Sequence, residues 1–387
     1  MREGQLSFDD TNYEQELRVW NFKRLLAQQY DVVVTNPPYM GGSGMNGSLA
    51  QFVKDNFPDS KSDLFAVFIE RCASLTNNHG ISAMITQHSW MFLSSYEKLR
   101  QKLRTHEILN MVHLGARAFA EIGGEVVQCT AFSMRSGHIA NYNGTYVRLV
   151  DFDNADQKEI EFLSENHRYI AQADNFSKIP GMPISYWASE NLLKAFNEKP
   201  LFENVKFAEG ITTGDNDRFL RYWHEVEHVS NSRWIPCNKG GSFRKWYGNR
   251  DYIIDWNENG EVLRIFPGSS FRNMAYQRRE GGTYSNLTSG KLSTRYSPEG
   301  TAFESKGTTF FSKDIFTVIG YMNSVVFDVL CGMVCPTLDY KFGIIQNLPF
   351  KKTTTDTSTL VKNTISISHL DWDSFETSFD FKRHPLV

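Results

Sequence analysis

A run of three valines, residues 32–34, ends shortly before a pair of consecutive prolines, Pro37 and Pro38. A short β-branched run that ends in a polar loop is typical of a buried parallel strand, and we predict this strand over residues 30–35. Proline fixes its own φ and restricts the residue before it, so two prolines in succession make a rigid turn. The chain therefore leaves the strand along a fixed path through Asn36, Pro37, Pro38 and Tyr39.

Helix and strand patterns alternate on both sides of this turn. An amphipathic helix is predicted over residues 14–29, and a second helix begins at Ser62, a good N-cap residue. Strands are predicted over residues 81–85 and 108–114 with a helix over 96–106 between them, and residues 126–134 and 146–152 are predicted to form a closing β-hairpin. This alternation indicates an α/β fold, with a partial doubly wound, Rossmann-like sheet in a domain of residues 1–180.

A cluster of proline and glycine at residues 179–183 marks a predicted domain boundary. Residues 181–350 follow as a second domain, and their glycine, asparagine, arginine and aromatic content predicts short strands and long loops in a mixed α+β architecture. Residues 316–333 form an apolar, helix-like stretch within it. Residues 351–387 are predicted to be a linker and the start of a C-terminal segment, with a loose Thr/Ser-rich connector at 356–368.

The composition excludes several classes of protein. Charged residues make up 22% of the chain and hydrophobic residues 41%, as in soluble globular proteins. No run of 18 apolar residues occurs, so we expect no membrane span. The five cysteines include no Cys-x-x-Cys pair and no histidines at zinc spacing, so we expect no metal site, core roles for Cys331 and Cys335, and a reducing, cytoplasmic location.

Charge is distributed unevenly along the chain. The net charge is −3, but residues 231–313 contain 13 lysines and arginines against 7 aspartates and glutamates, which gives this segment +6 and the rest of the chain −9. A basic segment on an acidic body suits a surface that faces phosphates. The alternative is ordinary variation of surface charge, and charge alone does not decide between the two.

The turn at residues 36–39 is suited to the methylation of an exocyclic amine. The lone pair of adenine N6 is delocalised into the ring, so two acceptors aimed at its hydrogens are needed to favour a tetrahedral nitrogen. The Asn36 amide oxygen and the Pro37 carbonyl, fixed by Pro38, can provide them. Tyr39 offers a face for a base that has left the duplex. We therefore predict Asn36, Pro37, Pro38 and Tyr39 as catalytic residues; the alternative is a turn with only a structural role.

Residues 31–41, Asp-Val-Val-Val-Thr-Asn-Pro-Pro-Tyr-Met-Gly, resemble the fourth motif of gamma-class amino-group DNA methyltransferases. Residues 63–70 and 80–85 are similar to the helix and strand that follow it in that family. Residues 118–134 are similar to a later motif in which an aromatic residue packs on the flipped base, and Phe119 is either that residue or a core residue. The resemblance implies transfer of a methyl group from S-adenosylmethionine to adenine N6.

The second domain resembles the target-recognition region of large, type IIG-like restriction–modification enzymes at residues 210–219, 234–236 and 238–249. Residues 371–376 and 384–386 are most similar to the BREX phage-defence methyltransferases. Double-stranded DNA is the partner that this implies. The candidate DNA contacts are Lys239, Arg244, Lys245, Trp246, Arg250, Arg272, Lys291 and Arg295, with Arg278 and Arg279 as further basic candidates and Ser285, Asn286, Thr288 and Ser289 as candidates for reading base edges.

The sequence lacks the motif that forms the methyl-donor site in this family. In the gamma arrangement a strand and a glycine turn that meet S-adenosylmethionine precede the Asn-Pro-Pro-Tyr motif by many tens of residues, but only 35 residues precede it here. The glycines at positions 41, 42 and 44 follow the catalytic strand, so we do not assign them this role. The chain is therefore expected to be a fragment, a split subunit whose partner chain supplies the N-terminal donor-binding half, or a degraded gene product.

Other functions remain open from the sequence. A non-catalytic DNA-recognition subunit is compatible with the missing donor motif. Protein-glutamine methyltransferases also use Asn-Pro-Pro-Tyr, but they normally end soon after the catalytic domain, whereas more than half of this chain follows Pro180. Cytosine-N4 methyltransferases are more closely related, but they more often have serine at the position of Asn36.

Overall fold

The computed structural model of the protein describes residues 11–119, 127–227, 233–288, 290–335, 339–352 and 357–387. The chain divides into two compact units, one of Met1–Ser177 with Gly181–Trp187 and the other of Lys178–Pro180 with Ala188–Val387. Each unit has a hydrophobic core of its own. The roles predicted for residues 1–180 in catalysis and for residues 181–350 in DNA recognition stay predictions.

The first unit is a sheet with helices, of the predicted α/β class. The order of its strands is β1-β2-β4-β3-β5-β6. Its described helices are α1 (Thr11–Ala27), α2 (Gly47–Asn56), α3 (Leu64–Leu75), α4 (Glu97–Leu103) and α5 (Ala155–Leu163). Its described strands are β1 (Tyr30–Thr35), β2 (Thr76–Gln87), β3 (His106–Gly115), β4 (Cys129–Ser136), β5 (Gly144–Arg148) and β6 (Arg168–Ala171).

Strands β1, β2, β3 and β5 run parallel, and β4 and β6 run antiparallel to them. The carboxyl ends of the parallel strands therefore meet at one edge, where such sheets bind ligands. The predicted hairpin of residues 126–134 and 146–152 is wrong, because β4 lies between β2 and β3 while β5 pairs with the far side of β3. Cys129, Phe132 and Met134 of β4 are buried, as expected of a central strand, and this burial outweighs the closeness of the two segments in sequence.

One face of this sheet is packed and the other is open. Phe65 of α3 and Leu99 of α4 belong to one buried cluster with residues of β2 and β4, and Val33 of β1 packs against it. Val32 and Val34 face the other way and are 61% and 72% exposed. Among the described residues, β1 pairs only with β2. The strand predicted over residues 30–35 is confirmed, but only one of its faces is buried.

The second unit combines sheets and helices, as the predicted α+β architecture requires. Its two four-stranded sheets have the orders β13-β9-β10-β8 and β12-β11-β14-β7. Its described helices are α6 (Glu190–Ala195), α7 (Asn216–Phe219), α8 (Asn257–Arg264), α9 (Ile315–Met322), α10 (Val325–Val334), α11 (Phe342–Ile345) and α12 (Thr357–Asp373). Its described strands are β7 (Lys206–Ala208), β8 (Leu220–Tyr222), β9 (Trp234–Asn238), β10 (Tyr252–Asp255), β11 (Gly281–Tyr284), β12 (Thr294–Ser297), β13 (Ala302–Phe303) and β14 (Thr309–Phe311).

Helix α12 corrects the prediction of a linker and a loose connector near the end of the chain. Its Val361, Ile365 and Trp372 are buried in the core of the second unit. Their spacing of four and seven residues places them on one face of a helix. Threonine and serine are weak helix formers, so the packing of this apolar face, rather than local propensity, decides the structure of residues 357–373.

The apolar stretch predicted over residues 316–333 forms two helices, α9 and α10, bent by 69° relative to each other. No single helix in the described ranges is long and apolar enough to cross a membrane, and only this bent pair, taken together, has the length and composition. Cys331 and Cys335 are buried core residues, as predicted.

Gly80 allows β2 to lie close to β1. A Cβ atom at this position would lie 2.7 Å from Thr76 Cγ2 and 2.8 Å from Asp31 O. We expect Gly80→Ala to lower the free energy of unfolding by about 1–3 kcal/mol, because neither neighbour can move without disturbing the pairing of the strands. Denaturant unfolding followed by circular dichroism measures this loss.

Gly47→Ala is the matched control for that substitution. Gly47 is the first residue of α2, and a Cβ atom there would meet nothing within 4 Å. It should change stability by less than about 0.5 kcal/mol. Equal effects of the two substitutions would contradict the steric argument.

Candidate active site

Asp63 holds the turn after β1 against the start of α3. It is the N-cap of α3, and its carboxylate accepts hydrogen bonds from Phe65 N at 3.3 Å and from Met40 N at 2.9 Å. Leu64 N in turn donates to Met40 O at 3.0 Å. The predicted N-cap, Ser62, is one residue too early, because it is Asp63 that accepts from the helix. These bonds, the Asp63 clamp, fix the path of the chain directly after the predicted catalytic residues.

Tyr39 is half-buried and contacts the core of the first unit. Its ring meets that of Phe65 edge-to-face with the centroids 6.1 Å apart, and its hydroxyl lies 3.8 Å from Sγ of Cys129 in β4. Burial raises the pKa of the Tyr39 hydroxyl, so the phenol is neutral at pH 7. A neutral ring held by these contacts and still partly exposed suits stacking on a base.

Asn36 follows β1 directly and has an exposed side chain, whereas Pro37 beside it is buried. Within the described part of the chain, the Asn36 amide makes no hydrogen bond. An open hollow of about 440 Å³ adjoins it on the uncovered face of the sheet, with Val34, Ala83 and Val112 in its lining. The amide oxygen is therefore available to accept a hydrogen bond from a substrate amine.

Phe119 lies four residues after the end of β3 and is 37% exposed. Residues 120–126, which continue the predicted motif of residues 118–134, lie outside the described residues. The role of Phe119 in stacking on the target base stays a prediction.

Two histidines at the same edge of the sheet, His113 buried and His88 half-buried, are functional candidates that the sequence pattern does not reveal. His88 follows β2 and His113 lies near the end of β3, and His88 Nδ1 is 2.7 Å from His113 Nε2. Nδ1 of His113 is 3.1 Å from the Tyr186 hydroxyl. Because β4 lies between β2 and β3, the pair joins two strands that do not pair directly. No spacing in the sequence predicts this contact, since it depends on where β4 inserts.

His88 also contacts the end of the loop that leads into β4. His88 N donates to Gln128 O at 2.8 Å, just before Cys129 begins β4. The return of this loop into the sheet is therefore fixed close to the sulfur that contacts Tyr39.

The predicted recognition block around residues 238–249 is used mainly to brace the second unit. Lys245 Nζ donates to Asn323 O at 2.7 Å. Arg244 forms an ion pair with Asp371 at 3.3 Å, and its guanidinium lies over the ring of Trp372 at 4.9 Å. Both side chains are only partly exposed, so a contact with DNA would compete with these bonds.

Trp246 occupies a strained turn in this block. Its φ is 73°, and Tyr247 N donates to Lys245 O at 3.0 Å across it. This left-handed conformation costs a residue with a side chain about 1–2 kcal/mol. Gly248 follows with a φ of 122°, and a Cβ atom there would lie 2.3 Å from Arg244 Cδ. The surrounding packing therefore holds the block in one conformation.

The remaining basic candidates divide into surface and buried residues. Arg272 and Lys291 are exposed and pair with acidic neighbours, which costs little to undo. Arg278 and Arg279 are exposed as well. Lys239 and Arg250 are half-buried against aromatic rings.

The structure does not support the predicted DNA contact of Arg295. It is 1% exposed, and its guanidinium donates to Arg244 O and Ser285 Oγ at 3.3 Å each. A DNA contact by Arg295 is contradicted by this burial. Ser285 is also buried, while Asn286 and Thr288 are half-buried and Ser289 lies outside the described residues.

The glycines at positions 41–47 do not form a cradle for the methyl donor. They form a short turn, Gly42–Gly44, and the start of α2. A Cβ atom at Gly42 or Gly47 would meet nothing within 4 Å, and no glycine of this loop has a positive φ. A backbone cradle needs glycine for room or for φ, so we assign no donor contacts to the described residues.

One group of side chains has metal-ligand chemistry. His369, Asp373 and Asp380 place one ligand atom each within 4.8 Å of one another. His369 and Asp373 are already an ion pair at 3.1 Å one helical turn apart, and such a pair accounts for the spacing without an ion. We assign no metal to it.

Known proteins are similar to this chain in sequence and in structure. Residues 3–119, which contain the turn at 36–39, match the family model of the Eco57I restriction-modification methylase. The adenine-specific methyltransferase PglX of Lacticaseibacillus casei (strain Zhang) is 43% identical over 419 residues, covering 99% of this chain and 35% of that protein. The chain is a homologue of the adenine-specific methyltransferases. The predicted resemblance is thereby confirmed.

The chain matches only part of the length of these relatives. The adenine-specific methyltransferase BrxX of Escherichia coli O9:H4 (strain HS) is 41% identical over 378 residues, covering 94% of this chain and 31% of that protein. The chain thus spans about a third of the length of the curated relatives that it matches.

Solved structures share the fold. The Type IIL restriction-modification enzyme MmeI, solved in complex with DNA, has a TM-score of 0.57 at 10% identity and covers 90% of this chain and 50% of its own. A nuclease-deletion mutant of the Type ISP enzyme LlaGI, solved with a DNA substrate mimic, has a TM-score of 0.56 at 12% identity and covers 95% and 44%. The chain therefore has the fold of restriction–modification methyltransferases.

The histidine pair predicts a pH dependence of stability. Burial lowers the pKa of His88 to about 4 and that of His113 to about 2, compared with 6.5 for an exposed histidine. Between pH 6.5 and 4 the unfolded chain therefore binds protons that the folded chain does not. We expect the free energy of unfolding to fall as the pH is lowered through this window, measured by urea denaturation at a series of pH values.

His88→Gln should reduce this slope because it removes one of the two titrating groups. His79→Gln is the control, since it removes an exposed histidine of the same unit. A slope that stays the same in His88→Gln would show that other groups produce the pH dependence.

Proposed function

We propose that this chain forms the methyl-accepting and DNA-recognising part of a site-specific DNA adenine-N6 methyltransferase. One observation carries the proposal. Asn36 is exposed at the carboxyl end of β1 and has no hydrogen bond to any described residue, and it lies beside a buried proline and the Asp63 clamp that fixes the chain after Tyr39. A turn with only a structural role does not require an exposed asparagine at this position.

The residues of the turn act on the methyl acceptor. A flipped-out adenine stacks on Tyr39, and its N6 donates one hydrogen bond to the Asn36 amide oxygen and one to the Pro37 carbonyl. These acceptors oppose the delocalisation of the lone pair and direct it away from the ring. S-adenosylmethionine supplies the methyl group. The proton leaves N6 after the transfer, so this mechanism needs no general base.

The donor-binding half belongs to another segment or to a partner chain. Two features of the first unit support this proposal. Strand β1 has a free edge among the described residues, and its Val32 and Val34 are exposed on the open face. On α1, Trp20 and Phe22 are 60% and 63% exposed. A donor-binding half that adds strands and helices here would bury this surface, and an uncovered strand edge is otherwise a site of aggregation.

The second unit is the proposed reader of double-stranded DNA. The neighbours MmeI and LlaGI were solved with DNA or a DNA mimic, and residues 231–313 carry a local charge of +6. Arg272, Arg278, Arg279 and Lys291 are exposed and suit phosphate contacts. Lys239, Arg244, Lys245, Trp246 and Arg250 remain candidates that would have to exchange internal contacts for DNA. An enzyme that modifies host DNA works in the cytoplasm.

A non-catalytic DNA-recognition subunit is the second candidate function. It is favoured by the lack of any assigned donor contact among the described residues. It predicts DNA binding that S-adenosylmethionine does not affect, even when a donor-binding half is supplied.

Asn36→Ala should abolish methylation and leave DNA binding intact. Loss of one of the two acceptors should lower the rate at least about a hundredfold, measured as methyl transfer to adenine by the chain combined with the donor-binding segment of a homologous methyltransferase. Asn56→Ala is the control, since Asn56 is an exposed asparagine at the end of α2. Methylation that persists in Asn36→Ala would overturn the proposed mechanism.

Titration calorimetry should show that the chain alone binds S-adenosylmethionine more weakly than about millimolar. Addition of the donor-binding half should bring the dissociation constant into the micromolar range. Micromolar binding by the chain alone would contradict the proposed division of the site and direct mutagenesis to residues 41–47.

A further inference from the structure

A cleft of about 620 Å³ lies in the second unit between residues 222–224 and the residues that follow α12. This volume is in the range of sites for small ligands. Trp223 Nε1 donates to Thr377 O at 3.0 Å and links the two sides, so the cleft is formed before any ligand binds. None of the predicted DNA contacts lines it, and the proposed function does not use it.

Aromatic rings form both walls of the cleft. On one side the rings of Tyr222 and His224 are stacked, with centroids 5.5 Å apart and an interplanar angle of 7°. On the other side the rings of Phe375 and His384 meet edge-to-face at 6.2 Å. The faces of the Tyr222 and Phe375 rings carry negative charge density that attracts cations.

The formally charged residues in the lining are both acidic. Asp251 and Glu376 line the cleft, whereas no lysine or arginine among the described residues does. Within the described part of the chain neither carboxylate forms an ion pair. Burial raises the pKa of the Asp251 carboxyl. A hydrogen bond from its own backbone N–H and the charge of Arg244 have the opposite, smaller effects, and the Arg244 guanidinium is bonded to Asp371. A half-buried carboxylate that forms no ion pair with the described residues is costly, and a bound cation would offset that cost.

We propose that this cleft binds a cationic side chain, an arginine in a segment of a partner protein. A guanidinium can stack on the aromatic walls and donate two hydrogen bonds to one carboxylate. The same carboxylates repel phosphates, so the cleft is unsuited to DNA. The second unit therefore carries a protein-docking site that is separate from its DNA contacts.

The probe is the capped tripeptide acetyl-Gly-Arg-Gly-amide, and its neutral counterpart contains citrulline in place of arginine. The indole N–H resonance of Trp223, assigned with Trp223→Phe, reports on the cleft in the full chain. We expect the arginine peptide to shift this resonance saturably, with a dissociation constant on the order of millimolar for so small a ligand. The citrulline peptide should leave it unchanged.

Asp251→Asn keeps the shape of the side chain and removes its charge, so it should weaken arginine binding about tenfold. Glu376→Gln is a second variant on the exposed side of the cleft and should weaken binding less. Asp217→Asn, which neutralises an exposed aspartate outside the lining, should have no effect. Thermal unfolding of each variant checks that it is folded.

Four outcomes would overturn the proposal. The arginine peptide could leave the Trp223 resonance unshifted. Citrulline could bind as well as arginine, or Asp251→Asn could bind as well as the original chain. A double-stranded oligonucleotide could shift the Trp223 resonance instead, which would make the cleft a DNA contact.

Discussion

The carboxylate of Asp63 joins the two segments on which the proposed acceptor site depends. It accepts from Phe65 N to start α3 and from Met40 N to end the turn, so one side chain sets both the first turn of a helix and the exit of a loop. Tyr39 packs against Phe65 in the same helix. The position of Asn36 therefore depends on β1 on one side and on the Asp63 clamp on the other. The catalytic role proposed for Asn36 needs both, because a side chain on a loop is otherwise not placed reproducibly.

The parts of this arrangement that could be predicted from the sequence are local. The valine run, the two prolines and the apolar face of α3 predict a strand, a rigid turn and a helix from residues close together in the chain, and the structure has all three. The insertion of β4 between β2 and β3 could not be predicted, because nothing local distinguishes it from one arm of a hairpin. The contact between His88 and His113 depends on that insertion and could not be predicted from the sequence for the same reason. Helix α12 was missed because its buried face overrides weak helix formers.

The sheet of the first unit has two unequal faces. One is closed by α3 and α4, and the other leaves valines and the hollow beside Asn36 uncovered. Alternation along β1 places Val33 in the core and its two neighbours outside it, although all three have the same β-branched chemistry. Hydrophobicity alone thus predicts a strand buried on both faces. Whatever covers the open face also lies against the side chain that is proposed to bind the substrate amine.

The strained turn at Trp246 limits how the second unit could change its proposed DNA contacts. Arg244 and Lys245 are tied to α12 and to the end of α9, Trp246 is held in a left-handed conformation, and Gly248 has no room for a side chain. Each position would resist substitution for reasons unrelated to DNA. Arg278 is exposed but has a left-handed φ of 66° itself. Under the proposed function, new specificities would therefore arise more readily from the exposed arginines at 272 and 279, where a residue can be exchanged without rebuilding the scaffold beneath it.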